Sequence, residues 1–386
     1  MINRKTLAFS PKEYRERTNR VQALLQAQGW DGLLLHNLAS ICYLTGFESL
    51  SVHKFWTCLI LPQGDPILLV QDFESYNSQW GCWLSQIETF GVTADPIAAL
   101  QRLLQELRLD RKKLGVELGI LSSLSAQGYV KLKEALPRVR FEDATKVVPR
   151  VMAVKSPLEI KYLREAGRIT TAGMRAAINA VAEGKTDNDI AAAASDKLIR
   201  EGSEYQCYQP IVTVGRRAGI PHSTFHRIPI RRGDPVFMEF GACVNRYSAP
   251  MMRTAVVGQP SPKMRRMFEM CRRSVDASIA TLGPGVTGGE VAAAAAKAIG
   301  PFPKGWVWHG IHAYSVGLGF PPEWADCLEV EASAGSRAIL EPGMAFHCST
   351  SIRDPGKLGT TCSETVLITE QGCDVLTDLP RELFVK

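Results

Sequence analysis

No Cys-x-x-Cys pair occurs in this 386-residue chain, although it carries ten cysteines, at 42, 58, 82, 207, 243, 271, 327, 348, 362 and 373. Scattered thiols of this kind favour a reducing cytoplasm, in which most of them stay free and buried. A charged-then-apolar leader is missing, and no apolar run reaches the length needed to span a bilayer, so no membrane role is expected. Strong charge of one sign is lacking too. The net charge is +6, and the densest basic stretches, 227–232 and 263–266, are short and hold no interleaved aromatics. Nucleic-acid binding needs a more concentrated basic face, so it is not expected either. Tandem repeats and low-complexity segments are absent.

What is present is enough apolar material for two domains with cores: 45% hydrophobic and 22% charged residues, in the range of ordinary globular proteins. Residues 10–29 read as a helix, with Pro11 at its first position and Val21, Leu24 and Leu25 at helical spacing. A strand at 31–35 and a turn at 43–47 follow, then strands at 55–61 and 66–70 joined by Pro62-Gln63-Gly64-Asp65. A helix at 98–109 and a strand at 113–118 complete an alternating unit that ends near Arg150. Ser156 as N-cap and Pro157 behind it then start a helix running toward Ala182. A second helix is predicted at 188–201, strands at 210–214, 235–240 and 253–257, helices at 262–282 and 287–299, and strands at 344–348 and 365–368. The expected fold class is α/β (α+β), with domains 1–152 and 153–386.

Glu239 falls on a predicted strand between the apolar Phe237 and Phe240. An unpaired carboxylate there costs several kcal/mol or takes up a proton. That environment suits an acid, base or nucleophile; the plainer reading is a buried ion pair with Arg253 or Arg246. His222, in Gly219-Ile220-Pro221-His222, stands on a loop, where most histidines are ordinary surface residues. An imidazole titrating near neutrality is also what proton transfer to a departing nitrogen requires. His226, four residues on, is a second candidate. His347 lies two residues before Ser349, and strand alternation puts both on one face; its plainer reading is a satisfied core histidine.

Four stretches, 215–227, 233–254, 309–324 and 340–369, resemble the active-site strands of the pita-bread family, which includes methionine aminopeptidase, aminopeptidase P, prolidase and creatinase. Peptidases of that family hold two divalent ions on two Asp, one His and two Glu. The resemblance puts these five places on Glu239 (in Met238-Glu239-Phe240-Gly241-Ala242), Pro250 (three before Arg253-Thr254), Tyr314 (in Ala313-Tyr314-Ser315-Val316-Gly317), Ser349 and Glu364 (in Ser363-Glu364-Thr365). Divalent ions need several hard oxygen or imidazole ligands converging on one point, so neither a metal nor another cofactor is expected. A further histidine of the family falls on Pro321.

Within the family, Glu239-Phe240-Gly241-Ala242-Cys243, Asn245-Arg246-Tyr247-Ser248-Ala249-Pro250 and the run from Tyr314 to Pro322 are similar to the metal-free ectoine hydrolase and creatinase branch. Residues 45–53 match that branch only loosely. The resemblance implies a creatinase-like N-terminal domain followed by a pita-bread catalytic domain. It implies a metal-independent hydrolase of a non-peptide C–N bond in a small nitrogen-rich substrate, an ectoine-like cyclic amidine or a creatine-like guanidino compound. Glu239 is then the nucleophile or base, His222 the acid, and Glu364 the group that orients the substrate cation. Tyr314, His347, His226 and Arg253 are expected to contact substrate. A homodimer is implied, in which Phe47, His53, Phe55 and Trp56 of one subunit cap the site of the other. A lyase, a binding module without catalysis and a metal-dependent Xaa-Pro peptidase are the alternatives, in that order.

Overall fold

The computed structural model describes residues 7–51, 54–119 and 121–386. The chain divides into two compact units, Met1–Met152 and Ala153–Lys386. In the first, α1 (Pro11–Ala27) starts where Ser10 accepts the backbone N–H of Glu13, and it leads into β1 (Gly32–Leu35), α2 (Leu38–Thr45), β2 (Thr57–Ile60) and β3 (Ile67–Gln71). Next come α3 (Ser75–Gly81), β4 (Ile87–Phe90), α4 (Pro96–Glu106), β5 (Lys113–Val116), α5 (Ala126–Ala135), β6 (Arg140–Asp143) and α6 (Val147–Ala153). The strands form one mixed sheet in the order β4-β3-β2-β1-β5-β6. Leu34, Leu59, Leu69, Leu100, Leu104 and Val116 are among the side chains of its core.

Residues 43–45, expected in a turn, belong to α2. Asn37 caps its start, and Gly46, at φ 76°, ends it as a left-handed cap. All of its residues except Ala39 are buried, so the segment carries no polar face and no helical period to read.

The second unit repeats one layout twice. Helices α7 (Pro157–Ala180) and α8 (Asp187–Arg200) precede β7 (Ile211–Val214), β8 (Pro235–Val244) and β9 (Tyr247–Val256). Helices α9 (Pro262–Thr281) and α10 (Gly288–Ile299) precede β10 (Ile311–Ser315), β11 (Glu331–Ser333), β12 (Ala345–Asp354) and β13 (Leu358–Thr369), with β14 (Gly372–Val375) and β15 (Phe384–Val385) at the end. Capping boxes start α7, α8 and α10: Ser156 with Glu159, Thr186 with Asp189, and Thr287 with Glu290. Each N-cap contributes about 0.5–2 kcal/mol. Two sheets result, β15-β9-β8-β7 and β11-β10-β12-β13-β14. One core lies between the first helix pair and β7–β9, and two more lie along α9, β12 and β13.

Strands β9, β12 and β13 are two to three times as long as the apolar pattern predicted, at 10, 10 and 12 residues. In β12 and β13 the extra length is polar: Ser349, Thr350, Ser351, Thr360, Thr361 and Ser363 are all buried. Hydroxyls can be buried there because they bond across the sheets, as Thr254 Oγ1 does to the Thr361 carbonyl at 2.9 Å. Among the described residues, no helix is long and apolar enough to cross a membrane. All ten cysteines are free, nine of them buried.

Candidate active site

Strand pairing sets the floor of a cleft in the second unit. Glu239 stands opposite Met252 on one side and Ile211 on the other. All three line a cavity of about 380 Å³, together with His222, Tyr208, His309, Tyr314, Glu323, Trp324, Glu331, Ser349 and Arg353, among others. Apolar neighbours strip water from the Glu239 carboxyl, which is 7% exposed and accepts no hydrogen bond among the described residues. Burial therefore pushes its pKa up from 4.5 to about 7; Arg353 pulls it down and Glu323 adds to the rise. Arg353 is buried too. It bonds Ser351 Oγ, lies 4.7 Å from the Phe237 ring centroid, and among the described residues its Nε has no partner. Ser349 Oγ is a second buried atom on the cleft with no partner among the described residues. Orphaned polar atoms at a cavity wall are places where a ligand gains bonds the protein does not supply itself.

The opposite wall is the segment after β10, anchored at both ends by buried charge. Lys155 and Asp326 pair at 2.9 Å with almost no exposure, and Ser315 donates to Asp326 at 2.5 Å. Arg246, also buried, donates to the Gly319 carbonyl from Nε and Nη2 at 3.2 and 3.1 Å. Between these anchors Glu323 Oε1 accepts the backbone N–H groups of Trp324 and Ala325, each at 2.9 Å. Gly317 is required there: a Cβ at this position would lie 2.0 Å from Asp326 Oδ2. Trp324 stacks near Tyr208, 5.0 Å between ring centroids, and its indole N–H donates to Tyr314 Oη at 2.9 Å. Aromatic faces beside Glu239, Glu323 and Glu331 suit a compact cation, while Arg353 faces the other way electrically and suits an anionic group.

His222 sits at the rim, exposed, in the left-handed conformation at φ 50° just after the turn Gly215–Gly219. His309, which the sequence reading passed over, lines the same rim. Its only local signal was its neighbourhood, Trp308-His309-Gly310, which carries no spacing rule.

Several expected contacts are not made. Glu364 is fully buried and points away from the cleft: Arg253 Nη2 holds it at 2.6 Å, Thr377 Oγ1 donates to its other oxygen, and Arg381 approaches at 3.4 Å. Arg253 is consumed in the same place, since it also donates to the carbonyls of Ser363, Leu379 and Pro380. The physical reason is strand alternation: residues 363 and 364 face opposite sides of β13, and Ser363 shares the face of its ladder partner Ser349, which lines the cleft. His226 is exposed and off the cleft; its backbone N–H bonds Asp187 at 3.0 Å. His347 is fully buried behind Tyr314 and does not line the cavity. Phe47 and Trp56 are core residues of the first unit, packed edge to face at 5.7 Å with no exposed surface to offer a substrate. Half-buried Phe55 packs on His36 and Phe90, and His53 lies outside the described residues.

With Ser363 in place of Glu364, the five cleft-side places that hold metal in pita-bread peptidases read Glu239, Pro250, Tyr314, Ser349 and Ser363. One carboxylate, a phenol and two hydroxyls do not fit a pair of divalent ions. Among the described residues, no group of three or more His, Cys, Asp or Glu side chains converges on a point that could hold one.

The description of metallopeptidase family M24 matches residues 161–370, and that of the creatinase/prolidase N-terminal domain matches 17–154. Ectoine hydrolase of Halomonas elongata is 28% identical, over 99% of this chain and 99% of its own. Xaa-Pro dipeptidase of Pyrococcus furiosus is 30% identical, over 69% of this chain and 75% of its own. Among solved structures, dipeptidase PepE of Mycobacterium ulcerans superposes with a TM-score of 0.85 at 23% identity, covering 98% of this chain and 99% of that one.

Proposed function

The chain belongs to metallopeptidase family M24 as a hydrolase, and we propose that it cleaves, without a metal, a non-peptide C–N bond in a small nitrogen-rich cation. A cyclic amidine that also bears a carboxylate, as ectoine does, matches the cleft: the cationic ring lies among Glu239, Glu323 and the Tyr208 and Trp324 faces, and the carboxylate meets Arg353. The observation that carries this reading is Glu239 itself, the one carboxylate left at the five places, desolvated and without a hydrogen bond. The likeness to ectoine hydrolase supports it. The dipeptidase likeness favours a peptidase, but peptidase chemistry in this fold rests on ligands that four of the five places lack.

In this reading the substrate cation favours the ionised form of Glu239, whose proton leaves to solvent. The carboxylate then attacks the amidine carbon, or takes a proton from the water that does. The oxygen of water ends on that carbon, displacing the Glu239 oxygen where the carboxylate had attacked, one C–N bond breaks, and His222 gives the departing nitrogen its proton. Turnover of ectoine, hydroxyectoine, creatine and Xaa-Pro dipeptides, measured beside metal analysis of the purified protein, tests the proposal. Activity confined to the dipeptides, or lost with a stoichiometric metal, overturns it.

The active form in this reading is a homodimer. Phe73, Tyr76 and Trp80 support it, since they recur at one-turn spacing and are 65–72% exposed, an apolar surface large for a lone chain. A monomer with full activity at assay concentration, by light scattering, argues against it.

A further inference from the structure

Behind the cleft runs a line of four hydrogen bonds whose protons can be placed by elimination. Trp324 Nε1, a donor only, gives its proton to Tyr314 Oη at 2.9 Å. Tyr314 Oη and His347 Nδ1 are 2.7 Å apart. His347 Nε2 and Ser363 Oγ are 2.6 Å apart. The backbone N–H of Met252, again a donor only, gives its proton to Ser363 Oγ at 2.6 Å. A neutral imidazole has one proton for two nitrogens, so two arrangements exist.

In the first, Nε2 carries the proton and donates to Ser363. Ser363 Oγ then accepts twice, and its own hydroxyl proton has no acceptor among the described residues, at a site with no exposure. In the second, Ser363 donates to Nε2, Nδ1 carries the proton and donates to Tyr314, and every buried group is satisfied. Tyr314 Oη then accepts twice, and its own proton is left over for the cleft, whose wall this half-buried side chain forms. A buried donor without a partner is costly, so the second arrangement holds.

We infer that Ser363 and His347 are positioning residues that fix Tyr314 as a hydrogen-bond donor into the cleft, aimed at an oxygen of the bound molecule. Electrostatics agrees: burial lowers the His347 pKa to about 3, and burial with the nearby Glu239 raises that of Tyr314. The imidazole is therefore neutral and the phenol keeps its proton at working pH. The inference deepens the proposed hydrolysis, because the hydroxyl that water leaves on the amidine carbon gains negative charge as it gives up its proton and the C–N bond breaks, and that oxygen is the group such a donor stabilises.

Nitrogen-15 spectra of the histidine side chains in the intact protein, with His347 identified by comparison with His347→Gln, read the tautomer without any substrate. The expected result is a protonated Nδ1 and a bare Nε2; the opposite pattern overturns the inference and leaves the hydrolase reading untouched. With ectoine as probe, Tyr314→Phe is expected to lower kcat by about 10²–10³-fold, as loss of one oxyanion donor does. Ser363→Ala removes the hydroxyl proton that holds Nε2 bare and is expected to lower kcat about 10- to 100-fold with KM nearly unchanged, on the scale of partners that orient metal-bound histidines. Full turnover in Ser363→Ala overturns the role of the line. A protonated Nδ1 with no turnover of ectoine counts against the substrate proposed above and upholds the line itself.

Discussion

Two strand glutamates of the second unit are buried, one on each of its sheets, in opposite surroundings. Glu239 on β8 faces the cleft with no hydrogen bond among the described residues and a pKa raised to about 7. Glu364 on β13 faces away, enclosed by Arg253, Thr377 and Arg381. In the proposed reading the same side chain is a reactive group where the protein withholds partners and a structural tie where it supplies three. Burial alone does not separate the roles; partners do.

Neutralising each carboxylate breaks the comparison most directly. Glu239→Gln is expected to lose about 10²–10⁴-fold in turnover with the fold intact, and His222→Ala a similar amount, the usual range for a group that moves a proton in the reaction. Near-normal kcat for Glu239→Gln on the authentic substrate removes the assignment. Glu364→Gln is expected to do the reverse. It leaves Arg253 as an unpaired buried charge, costs about 3–5 kcal/mol in stability, and leaves the kcat of the folded fraction within a few fold. Denaturant unfolding paired with an activity assay distinguishes the two.

A smaller effect sharpens the contrast through pH. Because the folded state raises the Glu239 pKa from 4.5 to about 7, this carboxyl binds its proton more tightly folded than unfolded. Its cost to stability is absent below pH 4.5, grows through neutrality and is complete above pH 7. Glu239→Gln is therefore expected to be more stable than the native chain at pH 8, by up to ~3 kcal/mol, and no more stable at pH 4. The same titration makes kcat/KM fall about tenfold per unit as pH drops below 7, since the ionised form attacks. A flat profile between pH 5 and 7 contradicts this.

The smallest expected effect is none at all. A chelator is expected to leave turnover unchanged, because Pro250, Tyr314, Ser349 and Ser363 offer no ligand set. Loss of activity restored by Mn or Zn contradicts it.

Much of this was legible in the chain. The starts of α7 and α10 were, because caps act within three residues: Ser156 with Glu159 and Thr287 with Glu290 work through local geometry. Glu239 was, because a carboxylate flanked by apolar strand residues is unusual wherever it occurs. The buried polar lengths of β12 and β13 were not, since serine and threonine read as surface until a second sheet supplies their hydrogen bonds.

By itself, then, the sequence determined the α/β class, the places of the long helices, and a strand carboxylate without an adjacent partner. Only tertiary structure decided which of two neighbours, Ser363 or Glu364, shares the face of the cleft-lining Ser349. A strand's side chains alternate, so an error of one residue moves a side chain from the reacting surface into the core, and only the ladder between β12 and β13, which pairs Ser349 with Ser363 and Cys348 with Glu364, fixes the phase.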